Sequence, residues 1–226
     1  MLLSILVPTL AARQRLFERI FGELETQIDK SGLRGEVEIL TLADQGEMPI
    51  GEKRNLLVAR SRGEFIAFVD DDDMVSEDYL RSIVEVLRRR PDVDCVGIRV
   101  LMFFRGRHPR HVAHSVRYTE LGRHGVEYRR PPYILNPIRR SIAQRYPFSN
   151  LRYQEDLEWA MRMSRDGALR NEVFIDQPIY YYYSRRWFAV QWLLDKSEAI
   201  RHRLGLRVTS EGLGGIWRRM LRDINR

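Results

Sequence analysis

One stretch constrains this chain more than any other: Glu64-Phe-Ile-Ala-Phe-Val-Asp-Asp-Asp-Asp73, an apolar run that ends in four consecutive carboxylates. The apolar part is too short for a typical helix and rich in strand formers, so it reads as a buried strand. Adjacent carboxylates repel one another, and folding alone offers no reason to collect four at a strand end. A divalent cation supplies one, because hard cations take oxygen ligands. One or two carboxylates plus substrate phosphates is the usual magnesium arrangement. The plain alternative is a solvated acidic loop leading into the next helix.

The neighbouring segments alternate in type. Residues 2–7 form an apolar strand stopped by Pro8. Leu16, Ile20, Leu24 and Ile28 make one stripe of a helix over about 12–30, ended by Ser31-Gly32. A second strand over 37–43 closes at Asp44, and Gly46 and Pro49 break the loop after it. A short helix follows over about 52–61, with Gly63 as its stop. Beyond the carboxylates, Ser76 reads as the N-cap of a helix whose Leu80, Ile83, Val84 and Leu87 point inward. A strand over 93–104 completes a β-α-β-α-β-α-β order, which implies a mainly parallel sheet covered by helices. In such sheets ligands sit at the carboxyl ends of the strands, where Pro8-Thr9, Asp44 and Asp70–Asp73 all fall.

The second half is less regular. Residues 105–132 hold four of the five histidines, and His108, His111 and His114 are spaced by three. Gly106 and Pro109 argue against the helix that would align them, so a single histidine joining a metal is the better expectation there. Glu155-Asp156 open an amphipathic helix. A late strand over 172–183 ends in Tyr180 to Tyr183, which serve as aromatic core or as a stacking platform for a sugar or base. A long helix over 187–204 and a basic amphipathic tail over 205–226, with Trp217-Arg-Arg-Met-Leu-Arg222, close the chain.

Charge divides the same way. Residues 1–98 carry 13 Lys and Arg against 19 Asp and Glu, a net of −6, and residues 99–226 carry 25 against 12, a net of +13. A basic half suggests a polyanionic partner, nucleic acid or an anionic membrane surface. No apolar run is long enough to span a bilayer, and the start lacks a basic n-region and a cleavage site. The lone Cys95 fits a reducing compartment, so the expected location is cytoplasmic.

Taken together, Ser4-Ile-Leu-Val-Pro-Thr9, Gly51-Glu-Lys-Arg-Asn55, Gly63 to Asp73 and Glu155-Asp156 resemble a family 2 glycosyltransferase with the GT-A fold. The resemblance implies a Rossmann-like, mainly parallel central sheet with a C-terminal helical extension. Residues 1–104 would form its nucleotide-sugar half, 105–204 its acceptor and base half, and 205–226 a tail. It places Pro8, Thr9 and Asp44 at the nucleotide base, and Lys53, Arg54 and Asn55 at the ribose and diphosphate. Asp70 and Asp72 would hold Mn²⁺ or Mg²⁺ on the diphosphate, with Asp71 and Asp73 ambiguous because four aspartates leave the register uncertain by one. Of the two, Asp71 is counted with Asp70 among the donor-binding residues. Asp156 would be the general base, with Glu155 its neighbour and fallback.

The resemblance implies transfer of one sugar, with inversion, from a nucleotide-sugar (UDP-linked) to an acceptor hydroxyl, with the cation neutralising the leaving diphosphate and a carboxylate taking the acceptor proton. The Gln-x-x-Arg-Trp of processive members is absent. Arg130-Pro-Pro-Tyr-Ile-Leu-Asn-Pro-Ile-Arg-Arg140 is similar to compact bacteriophage glycosyltransferases. With the basic half, that similarity points to a DNA acceptor, 5-hydroxymethylcytosine or a related base, in the host cytoplasm. A surface polysaccharide or lipopolysaccharide acceptor, a nucleotidyltransferase and a non-catalytic DNA-binding module are the alternatives.

Overall fold

The computed structural model describes residues 1–104, 107–151 and 154–184. The expected helix over 187–204, the tail over 205–226 and the side chain of His108 lie outside the described residues.

Strand β1 (Leu3–Leu10) leads through a 3-10 turn at Ala11–Arg13 into helix α1 (Gln14–Lys30). Strand β2 (Val37–Asp44), helix α2 (Ile50–Arg60) and strand β3 (Phe65–Phe68) follow, then a short strand β4 (Met74–Val75), helix α3 (Tyr79–Arg89) and strand β5 (Cys95–Phe104). The second half contains β6 (Arg107–His114), β7 (Gly122–His124), β8 (Glu127–Arg130), β9 (Ile138–Arg139), helices α4 (Arg140–Ala143) and α5 (Glu155–Arg165), and β10 (Glu172–Ser184).

The expected parallel core is present: β1 pairs in parallel with both β2 and β3. β9 inserts antiparallel between β3 and β5, so β5 runs in the same direction as β3. Beyond β5 the sheet becomes mixed, with the order β2-β1-β3-β9-β5-β6-β8-β7, while β10 pairs with β4 and β5. The β3 residues Phe65 to Phe68 are all buried, as a strand covered on both faces must be. Ile20, Leu24 and Ile28 of α1 and Leu80, Ile83, Val84 and Leu87 of α3 pack onto the sheet. Each such side chain contributes roughly 1.5–3 kcal/mol by leaving water.

Ser76 does not cap α3 as expected. The helix starts later, with Asp78 at its N-cap, and Ser76 instead donates to the Asp78 carboxylate at 2.7 Å. Ser76 is held by the sheet itself, since its N–H donates to Ile179 of β10 at 3.0 Å. Among the described residues no helix is long and apolar enough to cross a membrane.

Candidate active site at the carboxyl ends of the parallel strands

β1, β2 and β3 end side by side, and the residues just past their ends build one acidic edge. At β2 the last residue, Asp44, pairs with Lys53 of α2. The Lys53 ammonium, 2% exposed, also donates to the Thr9 carbonyl at 2.7 Å. One buried cation thereby ties the ends of β1 and β2 together. Burial works against the charged form of Asp44, but the Lys53 ammonium and the Met48 N–H outweigh it and hold the carboxyl below its ordinary value. Lys53 was expected to face a diphosphate; it is instead engaged by protein acceptors.

The four aspartates alternate. Asp71 and Asp73 turn inward and are 1% and 0% exposed. Asp70 and Asp72 turn outward, with side chains 28% and 36% exposed. Asp71 accepts from the Thr9 hydroxyl at 2.6 Å and pairs with Arg13 at 2.8 Å, which makes it a brace beneath the edge. Asp73 accepts from the Tyr180 hydroxyl and from the Tyr183 N–H, both at 2.9 Å. The same hydroxyl accepts the Asp70 N–H at 3.2 Å. Burial, reinforced by the Asp70 charge, pushes the Asp73 carboxyl well above the usual range. Arg13 reaches Asp72 as well, and Arg19 donates to the carbonyls of Asp72 and Asp73.

Asp70 and Asp72 are therefore the pair a cation could reach. No group of three or more metal-ligating side chains occurs among the described residues. Two outward carboxylates suit a hard cation that completes its shell with phosphate oxygens and water. Among the described residues the histidines do not converge: His111 is exposed, and His114 is buried with Nδ1 3.2 Å from the Asn136 amide oxygen. Burial holds the His114 ring well below its ordinary pKa.

Arg54 links this edge to α5. Its guanidinium is buried, lies over the Phe68 ring at 4.8 Å, and reaches Asp70 at 3.1 Å and Glu155 at 3.3 Å. Its Nη1 is buried with no hydrogen-bond partner among the described residues. Glu155, 4% exposed, is committed to Arg54. Asp156 is more accessible: it accepts from the Tyr133 hydroxyl through Oδ2 and from its own Leu157 N–H through Oδ1 at 2.7 Å. Burial pushes the Asp156 carboxyl up, and the Arg54 charge opposes that. Gln154 before them is left-handed, φ 64°, a conformation that costs a non-glycine residue on the order of 1 kcal/mol.

The loop into α5 is seated on α2. Asn55 clamps the Phe148 backbone, donating to its carbonyl at 2.9 Å and accepting its N–H at 2.8 Å, so its amide serves the scaffold. Gly51 permits the approach, since a Cβ there would sit 2.2 Å from the Ser149 carbonyl oxygen. The Phe148 ring stacks on Trp159 of α5 at 4.6 Å.

The sequence pattern does not mark Arg13, and it marks Arg130, Tyr133 and Tyr182 only as members of longer stretches, without a place beside Asp156. The Arg130 guanidinium lies 3.5 Å from the Tyr133 ring centroid, and burial brings its pKa down to about 10 against the pull of Asp156 and Tyr182. Tyr182 is partly buried near Asp73, Asp70 and Asp156, and its hydroxyl is raised by desolvation and by those charges. Tyrosines at the strand end were the one visible signal.

The glycosyl transferase family 2 model matches residues 44–167, more than half of the chain. No curated protein sequence matches. Among solved structures, S. aureus TarS residues 1–349 in complex with UDP-GlcNAc aligns with TM-score 0.55 at 16% identity, covering 83% of this chain and 60% of that one. This chain thus spans less than two thirds of that relative. Glucosyl-3-phosphoglycerate synthase from Mycobacterium tuberculosis, in complex with Mn²⁺, UDP and phosphoglyceric acid, aligns with TM-score 0.51 at 14% identity, covering 92% of this chain and 80% of that one. At such identities the likeness speaks for the fold.

Proposed function

The chain belongs to glycosyl transferase family 2, and from that premise we propose that it moves one sugar from a UDP-sugar to an acceptor hydroxyl with inversion. One observation carries the reading. The Arg54 guanidinium bonds Asp70 and Glu155 and its charge is felt at half-buried Asp156, so the outward acidic edge and the start of α5 meet at a single cation. The solved UDP complexes with the same fold support a uridine donor, and the Mn²⁺ in one of them supports a divalent ion.

Asp70 and Asp72 would hold that ion, which when bound supplies Lewis-acid neutralisation of the departing diphosphate. The remaining work falls to the protein. Arg13, paired with Asp71 and Asp72, fixes the acidic edge in place. Asp156 takes the proton of the acceptor hydroxyl as that oxygen attacks the anomeric carbon. The Tyr133 hydroxyl holds the Asp156 carboxylate by Oδ2 and the Leu157 N–H holds Oδ1, which orients the base before substrate arrives. Glu155, locked to Arg54, positions that cation and is not available as a base. With one oxygen attacking and one diphosphate leaving, no covalent enzyme intermediate is needed.

For the acceptor, the cationic second half favours a hydroxymethyl-pyrimidine in DNA over a surface glycan. The test uses the full chain with Mn²⁺, a panel of UDP-sugars, and two acceptors, hydroxymethylcytosine DNA and a lipid-linked sugar. Expected are UDP release and sugar transfer. Asp156→Asn should keep UDP binding and lose transfer by a factor on the order of 10³, because a positioned base contributes typically about 10²–10⁴-fold. Full activity in that variant removes Asp156 as the base. Pyrophosphate release from a nucleoside triphosphate would instead indicate nucleotidyl transfer, and transfer to lipid but never DNA would discard the DNA acceptor.

A further inference from the structure

A cavity of about 730 Å³ opens on the part of the sheet that the transfer site does not use. Its floor is Ala113 of β6, whose ladder neighbours are Arg99 of β5 and Arg129 of β8. Successive residues of a strand point to opposite faces. Arg130, next to Arg129, is stacked on Tyr133 beside Asp156. The cavity and the transfer site therefore lie on opposite faces of the β6–β8 ladder.

Three arginines of the wall share one arrangement. Arg117 donates through Nε to the Ser115 hydroxyl at 3.0 Å, Arg129 through Nε to Glu127 at 2.9 Å, and Arg170 through Nε to the Gly167 carbonyl at 3.1 Å. Among the described residues, the side-chain hydrogen bonds of all three run through Nε alone, which leaves the terminal amines of each fork to a ligand. The carboxylates offset their charge only in part: Glu172, 3.9 Å from the Arg117 Nε, is also bonded by the Ser115 hydroxyl and the Val116 N–H, and Asp176 is paired with Arg99. Glu127 bridges Arg99 and Arg129 and so serves as the anchor of the latter. Aromatic rings stiffen the forks: Arg117 lies over Phe174 at 4.9 Å and Arg129 over Tyr118 at 5.3 Å. Guanidinium forks held by Nε and by stacking, with terminal donors open, are preorganised for bidentate oxyanions.

We propose that this cavity is a phosphate-binding site, separate from the transfer site, that takes either free phosphate or the phosphodiester of a longer acceptor. Phosphate is favoured over a carboxylate because three separate forks converge on one cavity, and a tetrahedral oxyanion offers more acceptors than a planar one. The cavity shares no lining residue with the transfer site, so the two stand or fall separately.

The test is calorimetric titration of the full chain with inorganic phosphate and, in a second arm, with decathymidylate as a plain phosphodiester chain. UDP with Mn²⁺ serves as the control ligand. Saturable binding of inorganic phosphate is expected, and tighter, salt-sensitive binding of the oligomer would identify the polymer as the source. Arg117→Ala and Arg170→Ala, both at exposed side chains, should each weaken binding by about tenfold or more, as expected for loss of a hydrogen bond to a charged group. Lysine at either position should restore part of it, and UDP binding should be unchanged. No binding of either probe, or binding equal in the wild type and the double alanine variant, would overturn the site.

Discussion

At the scale of single residues, the proposed base is Asp156, and under that proposal its titration sets the pH at which the protein works. Burial raises its carboxyl, Asp70 adds to that, and the Arg54 and Arg130 cations with the Leu157 N–H work the other way. The net direction is upward. A base must be deprotonated, so the rate is lost as pH falls through the raised value, and the acid limb of kcat should lie above the ordinary aspartate value of about 3.9. The Tyr133 hydroxyl bonds the charged form. Tyr133→Phe removes that bond, raises the carboxyl further, and should move the acid limb to higher pH in a kcat–pH profile. An acid limb that stays put would show that Tyr133 does not hold the base. Much of this site was legible in the residues: the acidic edge, Arg54 and Glu155-Asp156 all stand in the sequence as a pattern. The division of labour among Asp70 to Asp73 was not, because it depends on which carboxylates meet Thr9, Tyr180 and the Tyr183 N–H.

At the scale of elements, the site depends on two junctions. One is α2 against the loop before α5, where Gly51 leaves no space for a side chain. Gly51→Ala must push the Ser149 backbone away and should destabilise the fold by about 1–3 kcal/mol in thermal or urea unfolding. Because that loop leads into α5, which opens with Glu155 and Asp156, kcat should fall as well. The other junction is β10 against the aspartate loop. Tyr180 is buried, accepts the Asp70 N–H and donates to Asp73. Tyr180→Phe strands a buried carboxylate oxygen and a backbone N–H, at a cost of about 1–3 kcal/mol for each group left unsatisfied. A variant of unchanged melting temperature would refute that role. The element boundaries were readable from periodicity, with small shifts such as the later start of α3. That shift arises where a strand bond from Ser76 to Ile179, invisible to local propensity, holds the chain extended.

At the scale of the whole molecule, the two halves distinguished by charge share one sheet. β9, from the second half, lies between β3 and β5 of the first. The Phe68 N–H likewise donates to Ile134, and the Val96 N–H to Pro137. A fragment of residues 1–104 would leave β3 and β5 with unpaired edges against an exposed apolar face, so it should lack a cooperative thermal transition that the full chain shows. A sharply melting fragment would separate the halves. The sequence alone determined the alternating βα order, the parallel core and the convergence of Thr9, Asp44 and Asp70–Asp73 on one edge. These follow from local patterning and from the handed, short connections of parallel sheets. Tertiary structure alone decided that Asp70 and Asp72 face outward while Asp71 and Asp73 brace the edge, that Lys53 and Asn55 serve the scaffold, and that Tyr133 and Arg130 attend the base. The last of these is a placement beside Asp156, the proposed base, and the outcomes rest on contacts between residues more than a hundred positions apart in some cases, such as Arg54 with Glu155 and Asp73 with Tyr180. A buried polar group takes whatever partner the fold brings within about 3 Å, and no local pattern in the chain encodes that distance.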